Sequence, residues 1–231
     1  STLDRSSAAS DVYKRQDCDG TILDSMHIWV DPINEIFEKY GFRLDTLSKE
    51  EKGKIEALPL DGMCEFIADE LAEDMSKEDV REYLDEIIND GYKNSLMPKD
   101  GALKKLQELH EKGYEMAIAS STDSIYLKLA FERLNIDQYF SFLTTPDLAD
   151  SKKSDKEYWQ YAIDQFGVDA NEVILYDDAL YAIKSANAVG INTCGVKDFP
   201  YNENEWEDIK ENATLYLNGI WEIDADNLLG K

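Results

Sequence analysis

The sequence of 231 residues is short of positive charge. It has 24 Lys and Arg against 49 Asp and Glu, a formal net charge of −25. Nucleic acids and anionic membranes bind basic surfaces, so this balance argues against either as a partner. The same field would repel a small anionic substrate, and a site for one needs a local feature that reverses it.

Cysteine, histidine and long apolar runs are scarce as well. The three cysteines are widely spaced, with no Cys-x-x-Cys pattern, which excludes a disulfide framework and favours reduced thiols in a cytoplasmic protein. Two histidines leave little material for a His-based metal site or a Ser-His-Asp triad. No run approaches the ~20 apolar residues of a membrane helix, and residues 1–16 lack the apolar core of a signal peptide. No feature indicates an oligomeric state.

What is present suits an α/β domain. Hydrophobic residues make up 43% of the chain, enough for a sizeable core. Continuous apolar runs at 114–119, 173–176 and 190–196 predict strands buried on both faces. The segment from Ala179 to Val189 has apolar residues at helical spacing. Alternating strands and helices predict a Rossmann-like, doubly wound parallel sheet.

A different pattern occupies residues 29–97. This stretch is acidic, has helical periodicity and contains no strand-like run, and Ser76 with Asp79 forms a capping-box pattern. We predict an inserted helical domain here, with residues 98–101 as the return hinge. The remaining core would comprise 17–28 and 98–231.

Pairs of carboxylates stand at two strand ends. Asp17 and Asp19, two apart in an extended segment, point the same way, and Asp177 and Asp178 follow another apolar run. Ligand crevices of open α/β sheets lie at the carboxyl ends of the strands, and hard oxygen ligands suit Mg²⁺. The alternatives are Asp residues that cap their own turn or the next helix.

Two further positions could bind phosphate. Ser120 follows a predicted strand and opens a helix, where hydroxyl and backbone donors can hold phosphate oxygens. Lys152 and Lys153 form a basic pair in a chain poor in basic residues. Alone, such a pair is more often a solvated surface feature.

In order and spacing these motifs resemble those of the haloacid-dehalogenase-like (HAD) phosphohydrolase superfamily, subfamily I with a type-1 helical cap, which includes phosphoglycolate phosphatases and β-phosphoglucomutases. The resemblance covers roughly residues 17–200. It lies in four segments, namely Asp17 to Ser25, Ala117 to Ser121, the lysine segment, and Asp178 to Gly190. Counting back from Phe166 makes Lys153 the motif lysine, with Lys152 second, although Ser154 and Lys156 replace the two usual prolines.

The resemblance implies a Mg²⁺-dependent phosphatase that acts on a small phosphorylated metabolite. Asp17 would attack phosphorus and form an aspartyl-phosphate, and Asp19 would serve as general acid and base. The implied Mg²⁺ ligands are the side chains of Asp17 and Asp178, the carbonyl of Asp19, and Asp177 through a water molecule. The implied phosphate-binding residues are Ser120, Ser121 and Lys153.

Two alternatives remain at this point. A sugar-phosphate mutase like β-phosphoglucomutase would carry a His twelve residues after the nucleophile, where this chain has Trp29. A non-catalytic HAD-fold binding or regulatory protein would not need the full acidic set. Dehalogenase chemistry is disfavoured because it has no use for the Asp19 acid.

Residues 1–16 are an atypical N-terminal segment. The first core strand should precede Asp17, yet Lys14 and Arg15 are poor residues for a central strand. One interpretation is that a non-native segment replaces an apolar strand. The other is that residues 11–16 pair through their backbone alone.

Overall fold

The computed structural model describes residues 13–43, 46–56 and 58–229, and a parallel β-sheet forms its centre. In chain order the strands of this part are β1 (Tyr13–Gln16), β2 (Met116–Ala119), β3 (Leu143–Thr144), β4 (Val173–Asp177), β5 (Asn192–Val196) and β6 (Leu215–Leu217). They pair in the order β3-β2-β1-β4-β5-β6, and all pairings are parallel. The chain builds outward from β1 in one direction and then from β4 in the other, so the topological switch point lies between these two strands.

Helices occupy most of the connections. In chain order they are α1 (Met26–Lys39), α2 (Lys49–Glu56), α3 (Leu60–Glu70), α4 (Lys77–Asp90), α5 (Ala102–Glu111), α6 (Ser124–Leu134), α7 (Pro146–Ala149), α8 (Lys156–Phe166), α9 (Leu180–Ala188) and α10 (Trp206–Asn212). A π-helical turn at Gly91–Ser95 and short 3₁₀ turns at Asp137–Tyr139, Ala170–Glu172, Glu203–Glu205 and Ile220–Glu222 complete the set for the described residues. None of the helices in this part of the chain combines the length and apolarity needed to cross a membrane.

The side chains of β4 point alternately to two buried clusters, which shows that helices cover both faces of the sheet. Val173 and Leu175 pack in one buried cluster with Trp159 of α8 and with α9. Ile174 and Tyr176 belong to a second buried cluster, which includes residues of α5 and α6. Because successive strand residues face opposite sides, one strand contributes to two cores. The predicted doubly wound α/β fold is confirmed.

The predicted strands correspond to β2, β4 and β5, and the helix predicted after Asp178 corresponds to α9. Strands β3 and β6 were not predicted, because two or three residues are too few to show a periodic pattern. Tyr13–Gln16 form β1 between β2 and β4, as the backbone-pairing interpretation expected for that part of the N-terminal segment. Residues 1–12 lie outside the described residues.

Helices α1–α4 lie between β1 and β2 in the chain and form the helical insertion. Phe37, Phe42 and Phe66 pack edge to face within it, with ring centroids 4.9 to 6.4 Å apart. The predicted capping box at the start of α4 is confirmed, since Ser76 and Asp79 exchange both hydrogen bonds. Helix α1 begins at Met26, three residues before the limit expected for the insertion.

The two crossings between the sheet domain and the insertion run side by side. The amide of Asp24 donates to the Met97 carbonyl at 2.9 Å, and the amide of Lys99 donates to the Ile22 carbonyl at 2.8 Å. Leu23 and Pro98 form an isolated antiparallel bridge between these bonds. The chain therefore leaves and re-enters the sheet domain through one short paired segment.

Candidate active site

The carboxyl ends of three adjacent strands bring the predicted site residues together. Asp17 follows β1, Ser120 follows β2, and Asp177 ends β4. The amide of Asp17 donates to the Tyr176 carbonyl at 2.8 Å, which extends the pairing of β1 with β4 to the site itself. This place is the switch point of the sheet, where open α/β folds bind ligands.

Lys153 lies at the centre of this site. Its Nζ is 2.5 Å from Asp17 Oδ1 and 2.7 Å from Asp177 Oδ2, and its side chain is almost fully buried. Burial disfavours the ammonium form, yet the charges of Asp17 and Asp177 outweigh burial and hold the pKa of Lys153 well above its ordinary value. Lys152, the second candidate for the motif lysine, is exposed.

Hydrogen bonds from α8 and α9 hold the loop that carries Lys153. The hydroxyl of Ser185 on α9 donates to the Lys153 carbonyl at 2.9 Å. Trp159 of α8 in turn donates to that hydroxyl at 2.8 Å and is itself fully buried. The lysine therefore rests on two helices of the sheet domain.

Three buried carboxylates form a cluster beside the lysine. Asp17, Asp177 and Asp178 each offer an oxygen atom, and these atoms all lie within 4.8 Å of one another. Burial, together with the charges of Asp177 and Asp198, raises the pKa of Asp178 to about 8. Burial also raises the pKa of Asp17 and Asp177, so one lysine is not enough to keep all three carboxylates ionised. The hard oxygen donors of the cluster suit a divalent cation such as Mg²⁺.

The loop after Asp17 turns sharply to make room for this cluster. Gly20 has a φ of +75°, in the left-handed region that favours glycine. The Thr21 hydroxyl then donates to Asp178 Oδ1 at 3.2 Å. The turn thus ties the loop after β1 to the loop after β4.

Asp19 is surrounded by hydroxyl groups. Its Oδ1 accepts hydrogen bonds from Ser25, at 2.6 Å, and from Tyr92. Its Oδ2 accepts from Thr122 at 2.7 Å and from Ser120 at 3.3 Å. All four donors are neutral hydroxyl groups. Among the described ion pairs, Lys153 contacts Asp17, and none involves Asp19.

The two serines of the loop after β2 have different hydrogen-bond partners. The hydroxyl of Ser120 accepts a hydrogen bond from the Thr122 amide at 3.0 Å, in addition to its contact with Asp19. The Ser121 side chain is exposed and forms a hydrogen bond of 2.6 Å with the Tyr181 hydroxyl of α9. Ser121 therefore lies at the edge of the site, and Ser120 lies inside it.

Sequence reasoning missed several residues around the site. Asn202 donates to the carbonyls of Asp178 and Val196, at 2.9 Å each, and Lys99 forms an ion pair with Asp198. Tyr92 comes from the end of the helical insertion. These residues belong to no short motif, and folding alone brings them to the site. Thr122, by contrast, follows the Ser-Ser pair directly and could have been found there.

Comparison with known proteins assigns the family. The profile described as haloacid dehalogenase-like hydrolase matches residues 16–196, well over half of the chain. The chain therefore belongs to the haloacid dehalogenase-like hydrolase family.

Individual relatives are distant. The phosphorylated carbohydrates phosphatase of Thermotoga maritima is 20% identical over 175 residues, which cover 76% of this chain and 80% of the relative. The glyceraldehyde 3-phosphate phosphatase of Pyrococcus abyssi is 33% identical over 98 residues, which cover 42% of this chain and 41% of the relative. The chain spans about half the length of the first curated relatives that it matches, 56% of a Clostridium perfringens protein and 41% of the Pyrococcus abyssi protein.

Solved structures agree on the fold. CbbY from Rhodobacter sphaeroides in complex with phosphate superposes with a TM-score of 0.71 at 16% identity, over 92% of this chain and 96% of that chain. Similarity at this level of identity shows the shared fold, an α/β core with a helical cap, and nothing more specific.

Proposed function

We propose that this protein is a Mg²⁺-dependent phosphatase that hydrolyses a small phosphorylated metabolite through an aspartyl-phosphate on Asp17. The observation that carries the proposal is the position of Asp17, which lies 2.5 Å from Lys153 and within the buried cluster of Asp177 and Asp178. The membership of the chain in a hydrolase family supports the reaction class.

Asp17 is the proposed nucleophile. One carboxylate oxygen would form a bond to phosphorus as the bond to the leaving oxygen breaks. Lys153 would neutralise charge that develops on the phosphoryl oxygens. The Ser120 hydroxyl, which donates to Asp19 at 3.3 Å in this structure, would turn to donate to the same oxygens. Ser121, at the edge, would contribute its backbone or hydroxyl group to the same oxygens.

Asp19 is the proposed general acid and base. It would give a proton to the leaving oxygen and then take one from the water that attacks the aspartyl-phosphate. Its location two residues after Asp17 and its shell of hydroxyl groups are consistent with a carboxyl group that is held in place but not neutralised by a cation.

Asp17, Asp177 and Asp178, together with the Asp19 carbonyl, are the proposed Mg²⁺ ligands. A bound Mg²⁺ would neutralise phosphoryl charge and reverse the local field that the net charge of −25 imposes on an anionic substrate. We place the cap at residues 29–97 and the core at 17–28 and 98–231, and we retain the cytoplasmic location expected from the sequence.

The mutase alternative finds no support in the geometry. The indole of Trp29, which occupies the sequence position of the mutase histidine, donates its N–H to the Tyr92 hydroxyl at 3.0 Å. An indole N–H cannot act as a base. The names of the relatives, one a phosphatase of phosphorylated carbohydrates and another of glyceraldehyde 3-phosphate, favour a small phosphorylated carbon compound.

The test is a screen for Mg²⁺-dependent phosphate release from a panel of phosphorylated metabolites. We expect wild type to be active, Asp17→Asn to be inactive, and the matched variant Asp31→Asn, at an exposed position on α1, to equal wild type. Activity retained in Asp17→Asn would refute the nucleophile. A folded wild type inactive across the panel would favour the non-catalytic alternative.

A further inference from the structure

Tyr92 occupies an unusual place for a side chain that contacts Asp19. It lies on the π-helical turn Gly91–Ser95, just before the chain returns to the sheet domain, and it is fully buried. Its hydroxyl donates to Asp19 Oδ1 and accepts a hydrogen bond from Trp29 Nε1 at 3.0 Å. Because the Tyr92 oxygen accepts the indole N–H, the hydroxyl proton of Tyr92 points to the Asp19 carboxylate.

The other three donors to Asp19 come from different parts of the chain. Ser25 belongs to the loop that follows Asp19 itself, and Ser120 and Thr122 belong to the loop after β2. Tyr92 is 73 positions away from Asp19 and is the donor supplied by the end of the helical insertion. The orientation of Asp19 therefore depends on where the insertion rests.

Contacts from α6 and from α1 hold the backbone of this turn. The Arg133 guanidinium of α6 donates to the carbonyls of Tyr92, at 3.4 Å, and Leu96. Gly91 also lies against Ile28, where a β-carbon would come within 2.6 Å of Ile28 Cδ1. The position of the Tyr92 hydroxyl is thus set by a backbone that neighbouring residues hold in place.

We propose that Tyr92 is a positioning residue, which orients the Asp19 carboxyl group for proton transfer and ties that orientation to the end of the helical insertion. The inference rests on the function proposed above, in which Asp19 protonates the leaving oxygen. An aspartate that loses one of two donors on Oδ1 can rotate, and proton transfer requires the carboxyl group within hydrogen-bond reach of the leaving oxygen.

Leaving-group dependence distinguishes positioning from a general structural role. An alkoxide must be protonated as it leaves, whereas p-nitrophenolate is stable without a proton. For Tyr92→Phe we expect kcat/KM on an alkyl phosphate to fall about 10-fold or more, and kcat/KM on p-nitrophenyl phosphate to fall less than about 3-fold. Equal falls on both substrates, or no fall on either, would overturn the proposal.

Tyr126→Phe is the matched control. Its ring lies 6.1 Å from that of Tyr92, centroid to centroid, but its hydroxyl donates to Asp85 of α4 and not to Asp19. The same chemical change in the same aromatic cluster should therefore leave the ratio of the two kcat/KM values unchanged.

A second measurement does not depend on activity. We expect Tyr92→Phe to lower the Tm by about 2–4 °C when Asp19 is present, and by less than about 1 °C in an Asp19→Ala background, because the two side chains share a contact. Additive losses would show that the contact is absent in solution and would overturn the inference. If wild type hydrolyses neither substrate while this coupling is found, the proposed function fails and the contact stands.

Discussion

Gly20 and Asp178 lie so close that no side chain fits between them. A β-carbon at position 20 would stand 2.4 Å from Asp178 Oδ2, well inside van der Waals contact. The loop after β1 and the loop after β4 are therefore built against each other, and the glycine defines how closely the carboxylates of the site approach.

Gly20→Ala should consequently displace Asp178. We expect a loss of activity of about 100-fold, since a shift of the order of 1 Å in a catalytic group can cost that much. Gly41→Ala is the matched control, because Gly41 has a φ of +72° and nothing within 4 Å of its β-carbon position. It carries the same backbone strain without the clash, so its Tm should fall while its kcat/KM stays at the wild-type value. A Gly20→Ala enzyme of normal activity would show that Asp178 has no fixed role.

Removal of the central lysine should affect stability as well as activity. In Lys153→Met the carboxylates of Asp17 and Asp177 lose a cation at 2.5 and 2.7 Å, and an uncompensated buried charge costs about 3–5 kcal/mol. We expect a clear fall in the free energy of unfolding, measured by urea denaturation, and a large loss of phosphatase activity. The exposed neighbour provides the control, since Lys152→Met should change the unfolding free energy by less than about 0.5 kcal/mol. Equal effects of the two variants would contradict the assignment of Lys153.

The raised pKa of Asp178 predicts a pH dependence with a definite sign. Its pKa is about 8 in the folded protein against 3.8 for an ordinary Asp, because burial and the charges of Asp177 and Asp198 disfavour ionisation. The folded state therefore holds a proton that the unfolded state releases, and stability is lost as the pH rises between these two values. After removal of divalent cations with EDTA, we expect the Tm of wild type to fall more between pH 6 and pH 8.5 than that of Asp178→Asn.

Metal addition should show the opposite trend. Mg²⁺ binding requires ionised ligands, so the rise in Tm that Mg²⁺ produces should be larger at pH 8.5 than at pH 6. Calorimetric titration with Mg²⁺ in buffers of different ionisation enthalpy should detect release of protons. A Mg²⁺ effect that is independent of pH would argue against Asp178 as a ligand.

The central strand β1 offers a route to higher stability. Lys14 pairs in register with Met116 and Ile174, which are both buried apolar residues. A central strand between two apolar strands is more stable with apolar residues. The double variant Lys14→Ile/Arg15→Val should therefore unfold at a higher Tm than wild type. Lys128→Ile, at an exposed position on α6, should produce no comparable gain. Equal melting temperatures for wild type and the strand variant would refute the expectation.

Local patterns predicted the parts of the fold that depend on neighbours in the chain. The apolar run ending at Ala119 and the one ending at Asp177 correspond to β2 and β4, because a strand buried on both faces must be apolar throughout. The two-residue strand β3 has no such pattern and was missed. The same holds for the site, where Asp17 and Asp19 stand in one short motif, whereas Tyr92 and Asn202 reach it only through tertiary structure.

The choice between Lys152 and Lys153 shows the same limit. Both residues are equally basic, and the prolines that mark the motif are replaced, so in the sequence the preference for Lys153 rests on the spacing to Phe166 alone. In the structure the side chain of Lys153 is buried against Asp17 and that of Lys152 is exposed. Burial of a lysine depends on which carboxylates surround it, and no local pattern contains that information.

The paired crossings at Asp24 and Met97 have a consequence for how this chain could be altered. The two backbone positions are joined by one hydrogen bond of 2.9 Å, so the residues between them form a loop whose ends already meet. Exchange of that loop for another helical segment with similarly spaced ends would leave the strand pairings untouched and add little closure entropy. The helical insertion is in this sense an exchangeable segment, and an exchange that omits Tyr92 would also remove its hydrogen bond to Asp19.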